Sequence, residues 1–253
     1  MQAYQRPFAR VYNRRWTSFS QALAPRLLAY YESTAPEPID KTLLDLCCGT
    51  GQLAVHFLAQ GYRVIGLDLS ADMLALAREN CQIYTEANQA QFIQGDAADF
   101  TLDKPVGLVV SIFDSLNHLE SFAALQACFR CVYRAMSSQG LFIFDLNTRA
   151  GLIRHWNGIN VDDTPELLLV NRAIYDGHSD RAYTRISGFV QNQDGTYERF
   201  EETIYNTVFN MQTVKEALLA AGFLFVHFAH PNDLSAPLED PEVVSRAFLV
   251  ARK

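Results

Sequence analysis

The chain has 253 residues, which at roughly 150 residues per domain is one enlarged domain or one domain with a sizeable insertion. Hydrophobic residues make up 49% and charged residues 19%, which excludes a disordered chain. No apolar run approaches the roughly 18 residues needed to span a bilayer. Twenty-eight acids against 21 bases leave a net charge of −7, and a body that acidic repels a phosphate backbone, so duplex nucleic acid is not the expected partner.

The stretch from Met1 to Tyr31 has five arginines and no acid. An Arg-rich, acid-poor start can be a transit peptide. Against that, Tyr4, Phe8, Tyr12, Trp16 and Phe19 recur at helical spacing, continued by Leu23 and Leu27, with Arg6, Arg10 and Arg14 on another face. So many large aromatics predict a helix docked on a body, and residues 1–35 are read as a helical lid.

From about residue 36 to 150, strand and helix alternate. Thr42–Cys47, Arg63–Leu67, Gln91–Gln94, Val106–Ser111 and Gly140–Asp145 read as strands. Helices are predicted over Gly51–Gln60, from Ser70 to about Tyr84 with Met73, Leu74 and Ala77 on one face, and over Glu120–Ser137. This rhythm implies a mostly parallel sheet with helices on both faces. It then changes. Leu167–Tyr175, Arg181–Gln191 and Tyr197–Phe209 are β-branched and aromatic, with turn signals at Asp176-Gly177 and Asp194-Gly195, so residues 151–210 read as an antiparallel β insertion. A helix over Thr213–Ala221 and strands over Phe223–Ala229 and Arg246–Ala251 return the chain to the core, completing a core of 36–150 and 211–253.

The five cysteines form no framework. Cys47 and Cys48 are adjacent, and Cys128 and Cys131 make one CxxC without a second pair, so they are read as reduced thiols of a cytoplasmic protein.

The richest segment is Leu43-Leu44-Asp45-Leu46-Cys47-Cys48-Gly49-Thr50-Gly51, a buried strand entering a glycine turn and then a helix. Glycines there permit positive φ and let a ligand approach the backbone. Gly49 to Ala54 also fits G-x-G-x-x-A, and Asp68 lies 19 residues past Gly49, where a strand-end carboxylate can take both ribose hydroxyls. Together they point to an adenosine-containing cofactor in a Rossmann-like fold. Asp45 sits four residues before Gly49, where a carboxylate suits a ligand carrying an ammonium better than a pyrophosphate. Asp96, in Gly95-Asp96-Ala97, can accept from an adenine amine. Ser111 to Leu119 (SIFDSLNHL) puts polar groups where a substrate would lie.

At these residues the chain resembles the class I S-adenosylmethionine-dependent methyltransferases. D-L-C-C-G-T-G matches their glycine-rich motif, which more often reads D-L-G-C-G-T-G, so Cys47 replaces the first glycine, tolerable if its backbone angles are ordinary. The resemblance implies a seven-stranded sheet with one antiparallel strand. It places the cofactor against Cys48, Gly49, Gly51, Asp68, Leu69, Met73, Asp96 and Ala97, with Asp45 toward its ammonium and Phe113 near the reacting methyl. A narrower resemblance is to small-molecule methyltransferases, including sugar N-methyltransferases, which carry an N-terminal tyrosine helix over the cofactor. It implies a lid containing Tyr12 and Trp16, and it puts a base at His118. Asn117, the neighbour in sequence, is the residue expected to fix that ring by a hydrogen bond.

The resemblance implies in-line methyl transfer from S-adenosylmethionine, with no metal, to a nitrogen or oxygen of a small-molecule acceptor. Catalysis then rests on placing the nucleophile and excluding water. A nicotinamide-dependent oxidoreductase rests on the G-x-G-x-x-A match alone, and Asp45 and Asp96 count against it. A module that binds the cofactor without chemistry keeps the same motifs. On β alternation, Glu202 shares a face with Phe200 and Ile204, and is a candidate amine contact.

Overall fold

The computed structural model describes residues 4–253; the first three residues of the expected 1–35 unit lie outside them. The elements in chain order are α1 (Arg6–Arg15), α2 (Thr17–Thr34), β1 (Thr42–Leu46), α3 (Gln52–Ala59), β2 (Arg63–Asp68), α4 (Ala71–Asn80), α5 (Gln82–Glu86), β3 (Ala90–Gln94), β4 (Val106–Ser111), α6 (Phe122–Ala135) and β5 (Met136–Asn147). They continue with α7 (Arg149–His155), β6 (Asn157–Thr164), β7 (Leu167–Asp176), β8 (Arg181–Gln191), β9 (Tyr197–Thr207), α8 (Met211–Ala221), β10 (Phe225–His230), β11 (Asp233–Pro237) and β12 (Arg246–Arg252).

The main sheet runs β11-β10-β12-β5-β4-β1-β2-β3. Strands β1 to β5 pair in parallel, and β12 lies antiparallel between β5 and β10. The sheet has eight strands rather than the expected seven, because β11 adds an antiparallel edge to β10. β4 reads VGLVVS and is buried throughout, as a central parallel strand covered on both faces must be. On one face Leu125, Phe129, Val214 and Leu218 of α6 and α8 pack on Phe142 and Phe144. On the other, α2, α3 and α4 bring Leu27, Phe57 and Leu74 onto Leu43, Leu108 and Ile143. The chain passes from β1 to β2 on one side and to β4 on the other, so the carboxyl end of β1 is a topological switch point, where open α/β sheets bind ligands.

The insertion is a separate sheet, β6-β7-β8-β9, of four strands rather than three. β6 escapes the sequence pattern because nearly every residue in it is exposed. The expected N-terminal helix divides at Trp16 into elements with different partners. α2 packs on the parallel core, whereas α1 buries Phe8 and Val11 against Leu169, Ile186, Val190 and Phe200 of the insertion. Likewise the helix from Ser70 ends at Asn80, and α5 follows after Cys81. No helix among the described residues is long and apolar enough to cross a membrane.

Phe8 is 1% exposed and its ring lies 6.1 Å from that of Phe200, so it is the bolt between α1 and the insertion. Phe8→Ala should cost about 3–5 kcal/mol at this cluster, the usual range for a buried Phe. Hydrogen exchange should show α1 and β7 to β9 losing protection while β1, β4 and β5 keep theirs. Uniform loss across the chain would contradict the separation of the two cores.

Candidate functional site

A cavity of about 950 Å³ opens over the carboxyl ends of the parallel strands and is roofed by α1 and the insertion. That lies at the top of the ~300–1,000 Å³ range of single-ligand pockets. Of the residues singled out by sequence, Tyr12, Trp16, Gly49, Asp68, Leu69, Met73, Asp96, Ala97, Phe113 and His118 all line it. Asp45, Cys48 and Gly51 sit behind the lining, buried beneath the loop.

The loop after β1 is held in three left-handed steps, Cys47 at φ 62°, Gly49 at 53° and Gly51 at 74°. The angles at Cys47 are therefore not ordinary. A side chain with a Cβ occupies a conformation that favours glycine, at a cost on the order of 1–3 kcal/mol. A Cβ on Gly49 would point toward Tyr12 and Met73, each 3.7 Å away. A Cβ on Gly51 would press on Ala77 of α4 at 3.2 Å, so Gly51 serves helix packing as well as the turn.

Asp68 closes the loop from β2. The Gly49 N–H donates to its Oδ2 at 2.8 Å and the Ser70 N–H to its Oδ1 at 2.9 Å. Each carboxylate oxygen has a second lone pair, which remains for a hydroxyl in the cavity. Burial pushes the Asp68 carboxyl up, against the pull of those two donors. Asp96, after β3, is exposed at the cavity edge and accepts from the Ala98 N–H at 2.8 Å.

His118 ends a 3₁₀ turn, Ser115–His118, after β4. Its Nδ1 lies 2.7 Å from the carbonyl oxygen of Tyr205 on β9. A carbonyl only accepts, so Nδ1 carries the proton and Nε2 presents a lone pair. The Tyr4 hydroxyl lies 3.4 Å from that Nε2. Asn117 does not fix the ring as expected. Its amide is buried and joins the Asn147 main chain and the Thr207 carbonyl instead. Glu202 is buried on the face alternation assigned it, but its Oε1 accepts the Gln5 N–H at 2.8 Å, anchoring the N-terminal segment rather than facing the cavity.

Sequence reasoning missed the floor of the site. Arg246 of β12 reaches Asp145 of β5 (Nη1–Oδ2, 2.5 Å) and Asp114 after β4 (Nη2–Oδ1, 2.6 Å). The Asp114 N–H donates to the other Asp145 oxygen at 2.9 Å. The guanidinium also lies 5.1 Å and 5.6 Å from the ring centroids of Phe19 and Phe113. Burial alone would weaken the Arg246 charge; the two carboxylates reverse that and hold it firmly protonated. Phe113 and Asp114 are both left-handed, at φ 67° and 50°. The signal available in sequence was a lone arginine opening an apolar strand, which names no partner.

Asp45 is 2% exposed, and its Oδ2 is buried without a hydrogen-bond partner. Burial, with repulsion from Asp68, raises its pKa to about 7. The folded protein thus keeps a proton that an unfolded Asp releases near its ordinary value of about 3.9. Its contribution to stability therefore falls as pH rises from about 4 to about 7. Asp45→Asn removes this liability. Thermal unfolding without ligand should show the variant gaining on the parent as pH rises through that window, with little further change above it. A gain independent of pH would contradict the buried carboxyl.

Comparison with known proteins agrees with this geometry. Residues 43–140 match the family described as "Methyltransferase domain". A putative methyltransferase of Geobacillus sp. (strain WCH70) is 29% identical over 243 residues, covering 94% of this chain and 92% of that protein. The dTDP-3-amino-3,4,6-trideoxy-alpha-D-glucopyranose N,N-dimethyltransferase of Streptomyces venezuelae is 38% identical over 90 residues, 36% of this chain and 35% of that protein. Among solved structures, an S-adenosylmethionine-dependent methyltransferase from Clostridium acetobutylicum superposes with a TM-score of 0.79 at 19% identity, covering 97% of each chain. Residues 43–140 are thus a methyltransferase domain, and the fold around them is that of the class I S-adenosylmethionine-dependent methyltransferases.

Proposed function

We propose that the protein transfers the methyl group of S-adenosylmethionine to a nitrogen or oxygen of a small-molecule acceptor held in the same cavity. The observation that carries this is the continuity of the cavity, from Asp68, Leu69 and Asp96 on the core to Thr184, Ile186 and Tyr205 on the insertion. Its size leaves room for a second reactant beside the cofactor.

The residues present fit that cofactor. Asp68 has lone pairs for two ribose hydroxyls, and Asp96 stands at the edge where an adenine amine would sit. Leu69, Met73 and Ala97 supply apolar contacts, and Leu69 is 66% exposed with nothing else to cover it. The unpartnered oxygen of Asp45 is a free acceptor beneath the loop formed by Cys48, Gly49 and Gly51. Tyr12 and Trp16 close the site from above, their rings 5.6 Å apart. Phe113 bounds the path to the acceptor. When bound, S-adenosylmethionine supplies an electrophilic methyl on sulfur. His118 takes the acceptor's proton at Nε2, while the Tyr205 carbonyl holds its Nδ1–H and so fixes the ring. α1 and the insertion exclude water from the cavity. In this reading residues 36–150 and 211–253 hold the cofactor, 151–210 shape the acceptor side, and the lid is α1 within 1–35.

Calorimetry should show S-adenosylhomocysteine binding and no binding of NAD. Asp68→Ala should weaken S-adenosylhomocysteine by at least about tenfold, since charged hydrogen bonds are worth roughly 1.5–3 kcal/mol each. It should also lower the stability of the free protein, because Gly49 and Ser70 lose their acceptor. With an acceptor found by screening for S-adenosylhomocysteine release, His118→Ala should lose roughly 10²–10⁴ in turnover and keep cofactor affinity. NAD binding without S-adenosylhomocysteine binding would overturn the function. A His118→Ala variant within threefold of the parent rate would leave positioning alone as the catalyst.

A further inference from the structure

The acceptor side of the cavity has a definite chemical character. Four carboxylates line the cavity: Asp68 and Asp96, assigned above to the cofactor, and Asp114 and Glu120, which are left for the acceptor. Among the described residues, Arg246 is the one lysine or arginine that does so. Its guanidinium is already spent: one nitrogen on Asp145, another on Asp114, and its body against Phe19 and Phe113. Within the clamp, Asp114 and the fully buried Asp145 outnumber the arginine two to one. No lysine or arginine among the described residues is left on this wall to meet a phosphate.

Two oxygens on the wall lack a donor. Asp114 is 8% exposed, and its Oδ1 is held by Arg246, but its Oδ2 has no partner among the described residues. Across the cavity on β7, the amide oxygen of Asn171 is buried and unpartnered. An unpaired buried acceptor costs free energy, so Asn171 awaits a donor, while Asp114 lines the same cavity. The rings of Tyr4, Tyr12 and Phe113 line the same cavity, and aromatic faces attract a cation and repel an anion.

We propose that the acceptor is a cationic, hydroxyl-bearing amine that carries no phosphate, such as an amino sugar in its free form rather than as a nucleoside diphosphate ester. This rests on the methyl-transfer function proposed above and narrows its substrate. The ammonium goes to Asp114 Oδ2, a hydroxyl donates to Asn171, and the amine passes its proton to His118 before it attacks. The N–CH3 bond forms as the S–CH3 bond breaks, and the sulfur keeps the electron pair. The relative from Streptomyces venezuelae is named for a dTDP sugar, and a diphosphate of that kind meets carboxylates here.

The test uses the full chain and a panel of amino sugars and aminocyclitols, each sugar supplied both free and as its nucleoside diphosphate ester. Release of S-adenosylhomocysteine is followed, and its binding is measured separately by calorimetry. The free amines should turn over with kcat/KM at least tenfold above their esters. Asp114→Asn should raise KM for the best free amine about tenfold. Asn171→Ala, which leaves the ionic floor intact, should raise KM at least threefold with kcat within twofold. Preference for the esters, or no turnover of either form by a protein that binds S-adenosylhomocysteine, would overturn the inference. Failure to bind S-adenosylhomocysteine would instead overturn the function on which it rests.

Discussion

The site depends on one buried ionic clamp. Arg246, Asp145 and Asp114 come from three segments that meet only at the carboxyl edge of the sheet. Taking such charges out of water is costly, and they remain charged only because each faces its partner at hydrogen-bond distance. The geometry is demanding in return. A planar guanidinium serves two carboxylates at once, which fixes where β12 begins, where β5 ends and how the chain leaves β4. The left-handed pair Phe113-Asp114 persists because this clamp over-determines it. Phe113, and after it His118, therefore stand where they do through a residue 132 positions beyond Asp114.

Above this floor the roof obeys apolar packing. α1 and the insertion share one hydrophobic cluster, distinct from the two that sandwich the parallel sheet. A polar tie then binds the roof to the base, Ser70 Oγ donating to the Tyr4 carbonyl, while within the roof the Gln5 N–H donates to Glu202. Two separately packed bodies thus meet around one cavity, and in the proposed function the sheet edge takes the cofactor and the roof takes the acceptor. Such an arrangement lets the roof vary with the acceptor while the sheet edge keeps its cofactor chemistry.

Much of this was legible in the sequence, for physical reasons that also explain the rest. Buried parallel strands are short apolar runs, and β4 was read to its observed ends. Asp45 and Asp68 stood out because a carboxylate in an apolar segment needs a reason. β6 and β11 were invisible because they are solvated edge strands, and β11 (DLSAP) buries only Leu234. They form because a neighbour offers its backbone, not because their side chains demand it. His118 could be placed after β4, but its orienting partner is the main-chain carbonyl of Tyr205, and a carbonyl carries no residue identity. Cys47 looked harmless because sequence does not display φ. Arg246 went unread because its partners lie 101 and 132 residues away.

The clamp is tested most directly by Arg246→Lys, with calorimetry of S-adenosylhomocysteine binding to the folded variant. Lysine keeps the charge but cannot span two carboxylates, so the post-β4 segment should lose its hold and Phe113 its place. The account predicts affinity at least about tenfold weaker, a loss of about 1.4 kcal/mol or more. An unchanged dissociation constant would show that charge alone suffices and that the bidentate geometry does not organise the site.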